Sequence, residues 1–102
     1  MTNYINISVS DAKNSLQMDN LLILDCRTTA DYKAGHLENA LHLHDGLRES
    51  LVKRGDKQRT ILIYCYHGHA SQHVAQFFAD FGFSHVYSLE GGYTAWQQSS
   101  AS

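Results

Sequence analysis

Four short apolar runs recur along the chain, separated by segments with helical periodicity. Residues 21–24 and 60–64 are continuous apolar runs, as expected for strands that are covered on both faces. Residues 40–43 and 85–89 are weaker strand candidates. The intervening segments predict five helices, at residues 10–18, 29–34, 47–54, 71–81 and 93–98. Residues 97–102 are expected to form a frayed end.

The alternation of strands and helices predicts an α/β domain with a mostly parallel central sheet, flanked by helices on both faces. Such sheets bind ligands beyond the carboxyl ends of their strands. Two predicted strands end in residues that carry suitable chemistry. Asp25, Cys26 and Arg27 follow the first, and Cys65 follows the second. We therefore expect the functional site to lie at this edge.

Composition limits the classes of protein to consider. A chain of 102 residues with 43% hydrophobic residues is the size of one globular domain. A net charge of −2 argues against nucleic-acid binding, and no apolar run approaches the roughly 20 residues of a membrane-spanning helix. The start of the chain lacks the basic and apolar segments of a signal peptide, so we expect a cytoplasmic protein.

Charge is distributed unevenly. All eight Lys and Arg residues lie within residues 1–59. An anion site built from residues 60–102 must therefore use backbone N–H groups, histidines or a cation from residues 1–59. The two cysteines, Cys26 and Cys65, form no CxxC motif, so a thiolate zinc site and thioredoxin-like chemistry are not expected.

The loop after the second continuous run carries the strongest chemical signal. Cys65 ends the predicted strand, and a helix opens near Ser71. A cysteine placed there faces backbone N–H groups and the positive end of a helix dipole, which both favour the thiolate. The pKa of Cys65 is therefore expected to be lowered, and the same loop could bind a small anion. The alternative is a small, inert, buried cysteine at a strand end.

Four segments together resemble the single-domain rhodaneses, specifically the GlpE-type thiosulfate sulfurtransferases. The resemblance covers about residues 5–98 within one domain of residues 1–102. Its motifs are Cys65-Tyr66-His67-Gly68, Asp25-Cys26-Arg27, Asp31-Tyr32 with Gly35-His36 and Ala40, and Val86-Tyr87 with Gly91-Gly92-Tyr93 and Trp96. Each motif is weak alone, but all four in this order are specific.

The resemblance implies a rhodanese-like fold and a sulfurtransferase that works through a Cys65 persulfide. Cys65 would take sulfur from thiosulfate or a related persulfide and pass it to cyanide, a small thiol or a thioredoxin-like acceptor, in a ping-pong pattern. No metal and no cofactor are implied. Substrate binding would fall to the loop, through the N–H groups and side chains of Tyr66, His67, Gly68, His69, Ala70 and Ser71.

The chain departs from many rhodaneses because its loop has no Arg or Lys. His67 and His69 are the titratable groups of the loop, and histidine gains charge near neutral pH. Thiosulfate binding is therefore expected to be weak and to strengthen toward about pH 6. Arg27 is the best candidate for a cation brought in from the first half. The alternative for Arg27 is a structural role, in which it and Asp25 support the floor of the site.

Four alternative interpretations accompany this one. Cys26 is either a small space-filling residue or a resolving thiol for Cys65. A thiolate phosphatase or arsenate reductase would need an arginine where this chain has Ser71. A non-catalytic rhodanese-like module, for binding or redox sensing, is the main alternative function. His42 and His44 share a strand face but have no evident third metal ligand.

Overall fold

A computed structural model of the chain describes residues 3–16 and 20–101. Strands and helices alternate throughout these ranges. The strands are Ile5–Ile7 (β1), Leu22–Asp25 (β2), Leu41–His42 (β3), Ile61–Tyr64 (β4) and Val86–Leu89 (β5). The helices are Val9–Ser15 (α1), Thr29–Ala34 (α2), Asp45–Arg54 (α3), Ala70–Asp80 (α4) and Gly92–Ala101 (α5).

The strands form one sheet in the order β1-β5-β4-β2-β3, and every neighbouring pair is parallel. The predicted α/β fold with a parallel sheet is therefore confirmed. Strand β4 lies at the centre, and its four residues, Ile61 to Tyr64, are fully buried. A strand covered on both faces has no polar side to alternate with, which explains its continuous apolar sequence.

Helices cover both faces of the sheet, as predicted. On one face, Phe78 and Ala75 of α4 pack against Leu24 and Ile63, with residues of α3 beside them. On the other face, residues of α1, α2 and α5 pack around Leu62 and other buried side chains. None of the helices within residues 3–16 and 20–101 is long and apolar enough to cross a membrane.

One strand was missed, and the end of the last helix differs from the prediction. Strand β1 was not predicted, because it has three residues and Ile5 is 57% exposed, so it has little apolar signal. The expected fraying from residue 97 is wrong, since α5 continues to Ala101. Lys13 supports this extension by donating to Ser99 Oγ at 2.9 Å. The predicted end of the first helix, at residue 18, lies outside the described residues.

Candidate active site

Cys65 lies directly after β4, at the carboxyl edge of the sheet, and its side chain is buried. The loop that follows turns tightly into α4 through Gly68, whose φ is +93°. A Cβ at position 68 would lie 3.0 Å from Gly91 N and 3.2 Å from Leu89 O. Glycine is therefore needed here for its conformation and for the close approach of the neighbouring backbone.

The sulfur of Cys65 is surrounded by hydrogen-bond partners from its own loop. Gly68 N donates to Sγ at 3.2 Å, Ser71 N donates at 3.3 Å, and Ser71 Oγ lies 3.4 Å away. These groups and the Cys26 thiol, which has the largest effect, lower the pKa of Cys65 to about 4, although burial opposes the shift. A thiolate with this pKa is almost fully ionised near neutral pH, as a sulfur nucleophile must be.

The other predicted loop residues border the site without contacting the sulfur through hydrogen bonds. Tyr66, His67, His69 and Ala70, together with Cys65, line a cavity of about 190 Å³. The Tyr66 hydroxyl is directed away: it donates to an Asp31 carboxylate oxygen, and Thr28 Oγ1 lies 3.3 Å from it. Of the predicted loop residues 66 to 71, Gly68 and Ser71 are therefore the ones whose N–H groups donate to the sulfur.

Ser88 is a second buried hydroxyl at the site, and it belongs to none of the predicted site residues. Its Oγ lies 2.8 Å from Ser71 Oγ, and neither serine is exposed to solvent. With a thiolate at Cys65, Ser71 donates to the sulfur and accepts from Ser88. The only signal in the sequence was a serine within the otherwise apolar strand β5.

Asp25 and Arg27 form a buried ion pair below the loop. Arg27 Nη2 is 2.7 Å from Asp25 Oδ2 and 2.6 Å from the Gly35 carbonyl oxygen. The Tyr64 hydroxyl donates to Asp25 Oδ2 at 2.6 Å and accepts from Leu37 N at 3.2 Å. These contacts tie the end of β4 to β2 and to the segment after α2.

Arg27 is not an exposed cation beside the cavity. Its side chain is 4% exposed, its charge is paired with Asp25, and its guanidinium lies 3.9 Å from the centre of the Tyr93 ring. This geometry favours the supporting role over the alternative in which Arg27 attracts the substrate. Within residues 3–16 and 20–101, no group of three or more His, Cys, Asp or Glu side chains could hold a metal ion.

Cys26 is partly buried, and its thiol is close to the active-site sulfur. Cys26 Sγ donates to the Tyr64 carbonyl oxygen at 3.3 Å. The pKa of Cys26 is strongly raised, first by hydrogen bonding with Cys65, then by burial and by the charges of Cys65 and Asp25. The two cysteines are thus in opposite states, with a thiolate at Cys65 and a protonated thiol at Cys26.

The sequence matches the family model of the rhodanese-like domain over residues 8–99. The chain therefore belongs to the rhodanese-like domain family. It is 38% identical to a thiosulfate sulfurtransferase GlpE of Coxiella burnetii over 94 residues, which cover 92% of this chain and 88% of the relative. It is also 31% identical to a protein of the same name from Shewanella oneidensis, covering 99% and 100% of the two chains.

Solved structures agree with the family assignment. A rhodanese-like domain protein from Staphylococcus aureus superimposes with a TM-score of 0.76 at 26% identity, covering 90% of each chain. The family resemblance indicated by the four sequence motifs is confirmed.

Proposed function

We propose that this protein is a thiosulfate sulfurtransferase in which Cys65 carries the transferred sulfur as a persulfide. The observation that carries the proposal is the Cys65 sulfur, held by Gly68 N and Ser71 N at the wall of a cavity of about 190 Å³. The names of the relatives support the class, a transferase acting on thiosulfate.

The reaction has two displacement steps. The Cys65 thiolate attacks the outer sulfur of thiosulfate, the sulfur–sulfur bond breaks, and sulfite leaves with the bonding electrons. An acceptor then attacks the outer sulfur of the Cys65 persulfide, and the Cys65 thiolate leaves. Cyanide becomes thiocyanate, whereas a thiol becomes a persulfide. A low leaving-group pKa favours the second step, so the same stabilised thiolate serves both.

The cavity bears on which acceptors can react. The volume of about 190 Å³ admits cyanide or the end of a small thiol. A second cavity of about 420 Å³ includes His69 in its wall, and gives a bulkier thiol or a thioredoxin-like protein room to approach. Because the Cys65 thiol must be free for this chemistry, a reducing compartment such as the cytoplasm suits the enzyme.

Intact mass spectrometry tests the proposal directly. After incubation with thiosulfate, the wild type should gain the mass of one sulfur, and cyanide should remove it as thiocyanate. Cys65→Ser should gain nothing, whereas Ser84→Ala, a control at an exposed serine, should still be loaded. If neither thiosulfate nor a small persulfide loads the wild type, the enzymatic proposal fails and a non-catalytic binding module becomes the better account.

The absence of Lys and Arg from the loop predicts how donor binding responds to pH. His67 and His69 border the cavity, and positive charge on a histidine side chain is favoured by lower pH in general. The KM for thiosulfate should therefore decrease between about pH 8 and about pH 6. The double variant His67→Gln with His69→Gln should lose this dependence. A KM that is flat over this range in the wild type would contradict the role of the histidines.

A further inference from the structure

Cys26 and Cys65 occupy matching positions on neighbouring strands. In the register of β2 with β4, Leu24 pairs with Ile63 and Asp25 pairs with Tyr64. The next residues along the two strands are the two cysteines. Cys26 N donates to the Tyr64 carbonyl oxygen at 3.0 Å, so the hydrogen-bond ladder continues to this point.

The spacing of the strands suits a covalent link between these residues. Neighbouring strands lie about 4.8 Å apart, and the Cα atoms of a disulfide are usually separated by about 4.4 to 6.8 Å. Side chains alternate between the two faces of a strand, so Cys26 lies on the face of Leu24 and Cys65 on the face of Ile63. Leu24 and Ile63 belong to the same core cluster, which Cys26 also contacts. Both thiols therefore lie on one face of the sheet.

We propose that Cys26 is a resolving thiol, which closes an intramolecular disulfide with Cys65 once a peroxide has oxidised Cys65. The Cys65 thiolate attacks hydrogen peroxide, breaks its oxygen–oxygen bond and becomes a sulfenic acid, and the released hydroxide is protonated to water. Cys26 then loses its proton and attacks Cys65 Sγ. The sulfur–oxygen bond breaks, and the oxygen leaves as water.

The state of Cys26 explains why this thiol does not interfere before oxidation. While Cys65 is a thiolate, its negative charge and hydrogen bonding raise the pKa of Cys26 and keep the thiol protonated. A sulfenic acid is uncharged, so oxidation removes the part of this pKa increase that comes from the charge of Cys65, while the effects of burial and of Asp25 remain. The Cys26 thiol therefore loses its proton more readily once Cys65 has become electrophilic.

The disulfide would protect the enzyme from permanent damage. A sulfenic acid that meets more peroxide becomes a sulfinic acid, which ordinary thiols do not reduce, whereas a disulfide is returned to two thiols by them. Cys26 would thus convert an irreversible inactivation of Cys65 into a reversible one. This proposal depends on a nucleophilic Cys65 but not on thiosulfate as the substrate.

The test compares the wild type with Cys26→Val and Cys26→Ser after treatment with hydrogen peroxide. We expect the wild type to lose two hydrogens in intact mass, to resist alkylation and to yield a peptide linking residues 26 and 65. Dithiothreitol should restore both thiols. The variants should instead gain two or three oxygens at Cys65 and should not be restored by dithiothreitol.

Two results would overturn the proposal. One is a wild type that accumulates sulfinic acid as fast as both variants, and the other is a disulfide that joins two chains instead of one. Two substitutions are used so that the comparison survives if one variant folds poorly, and circular dichroism identifies such a variant. The readout is mass and not turnover, so the two proposals fail independently. If no disulfide forms, the proposed sulfurtransferase activity is unaffected. If thiosulfate does not load Cys65, the disulfide can still be tested.

Discussion

The Ser71 hydroxyl should account for a measurable part of the low pKa of Cys65. Ser71 is fully buried, and its Oγ lies 3.4 Å from Cys65 Sγ and 2.8 Å from Ser88 Oγ. Ser71→Ala removes this hydroxyl but keeps the backbone N–H that donates to the sulfur at 3.3 Å. The variant therefore isolates one donor of the set.

The size of the effect follows from the charge on the sulfur. A hydrogen bond to a charged group contributes about 1.5 to 3 kcal/mol, and one pKa unit corresponds to about 1.36 kcal/mol. Loss of the Ser71 hydroxyl should thus raise the pKa of Cys65 by about one to two units, from its value of about 4. The direction is upward, because the lost donor stabilises only the thiolate.

The pKa can be read from the rate of alkylation by iodoacetamide as a function of pH, since the thiolate is the reacting form. Cys26 and Cys65 fall in different tryptic peptides, so mass spectrometry separates their rates. Ser84→Ala is the matched control, because Ser84 is an exposed serine. A midpoint in Ser71→Ala that is unchanged, or lower than in the wild type, would refute the role of the Ser71 hydroxyl in stabilising the thiolate.

Three further predictions concern the support of the site. Asp25→Asn should lower the free energy of unfolding by about 3 to 5 kcal/mol in urea, because it breaks a buried ion pair and leaves Arg27 uncompensated, while the exposed Asp80→Asn should change little. Gly92→Ala should abolish sulfur transfer, since its Cβ would lie 2.5 Å from the Cys65 carbonyl oxygen; Gly82→Ala, which has a positive φ but open space around it, should only lose stability. Between about pH 4 and about pH 9, the free energy of unfolding of the wild type should rise with pH more steeply than that of Cys65→Ser, because the pKa of Cys65 is lower in the folded state than in the unfolded state. Urea titrations at several pH values measure these slopes, and equal slopes for the two proteins would contradict the prediction.

The sequence was most informative where burial is complete. The apolar runs that became β2 and β4 are covered on both faces, and their side-chain pattern required no knowledge of neighbouring elements. Strand β1 escaped prediction for the opposite reason, since Ile5 and Asn6 are exposed and the strand depends on its pairing with β5. The local sequence of a short edge strand gives little indication that a strand will form, because its formation depends on pairing with a neighbouring strand.

The nucleophile was predictable because its chemistry is local. Cys65, Gly68 and Ser71 lie within seven consecutive residues of one strand–loop–helix unit. Its distant partners were not predictable in the same way. Ser88 and Cys26 reach the site from strands on either side of β4, and that order follows from crossover connections, not from chain order. The sequence placed Cys26 near a strand end, but only the register places it beside Cys65.

The site stabilises a negative sulfur chiefly with neutral donors. The charge of Arg27 is already neutralised by Asp25, so this residue adds little positive potential for a dianion such as thiosulfate. Reactivity and donor binding are therefore supplied by different groups. The Cys26 thiol, the backbone N–H groups and the Ser71 hydroxyl stabilise the thiolate, whereas attraction of the donor by His67 and His69 relies on the positive charge that a histidine side chain carries at lower pH. Lowering the pH toward about 6 should consequently improve binding without reducing the fraction of thiolate, because that fraction falls only near a pH of about 4.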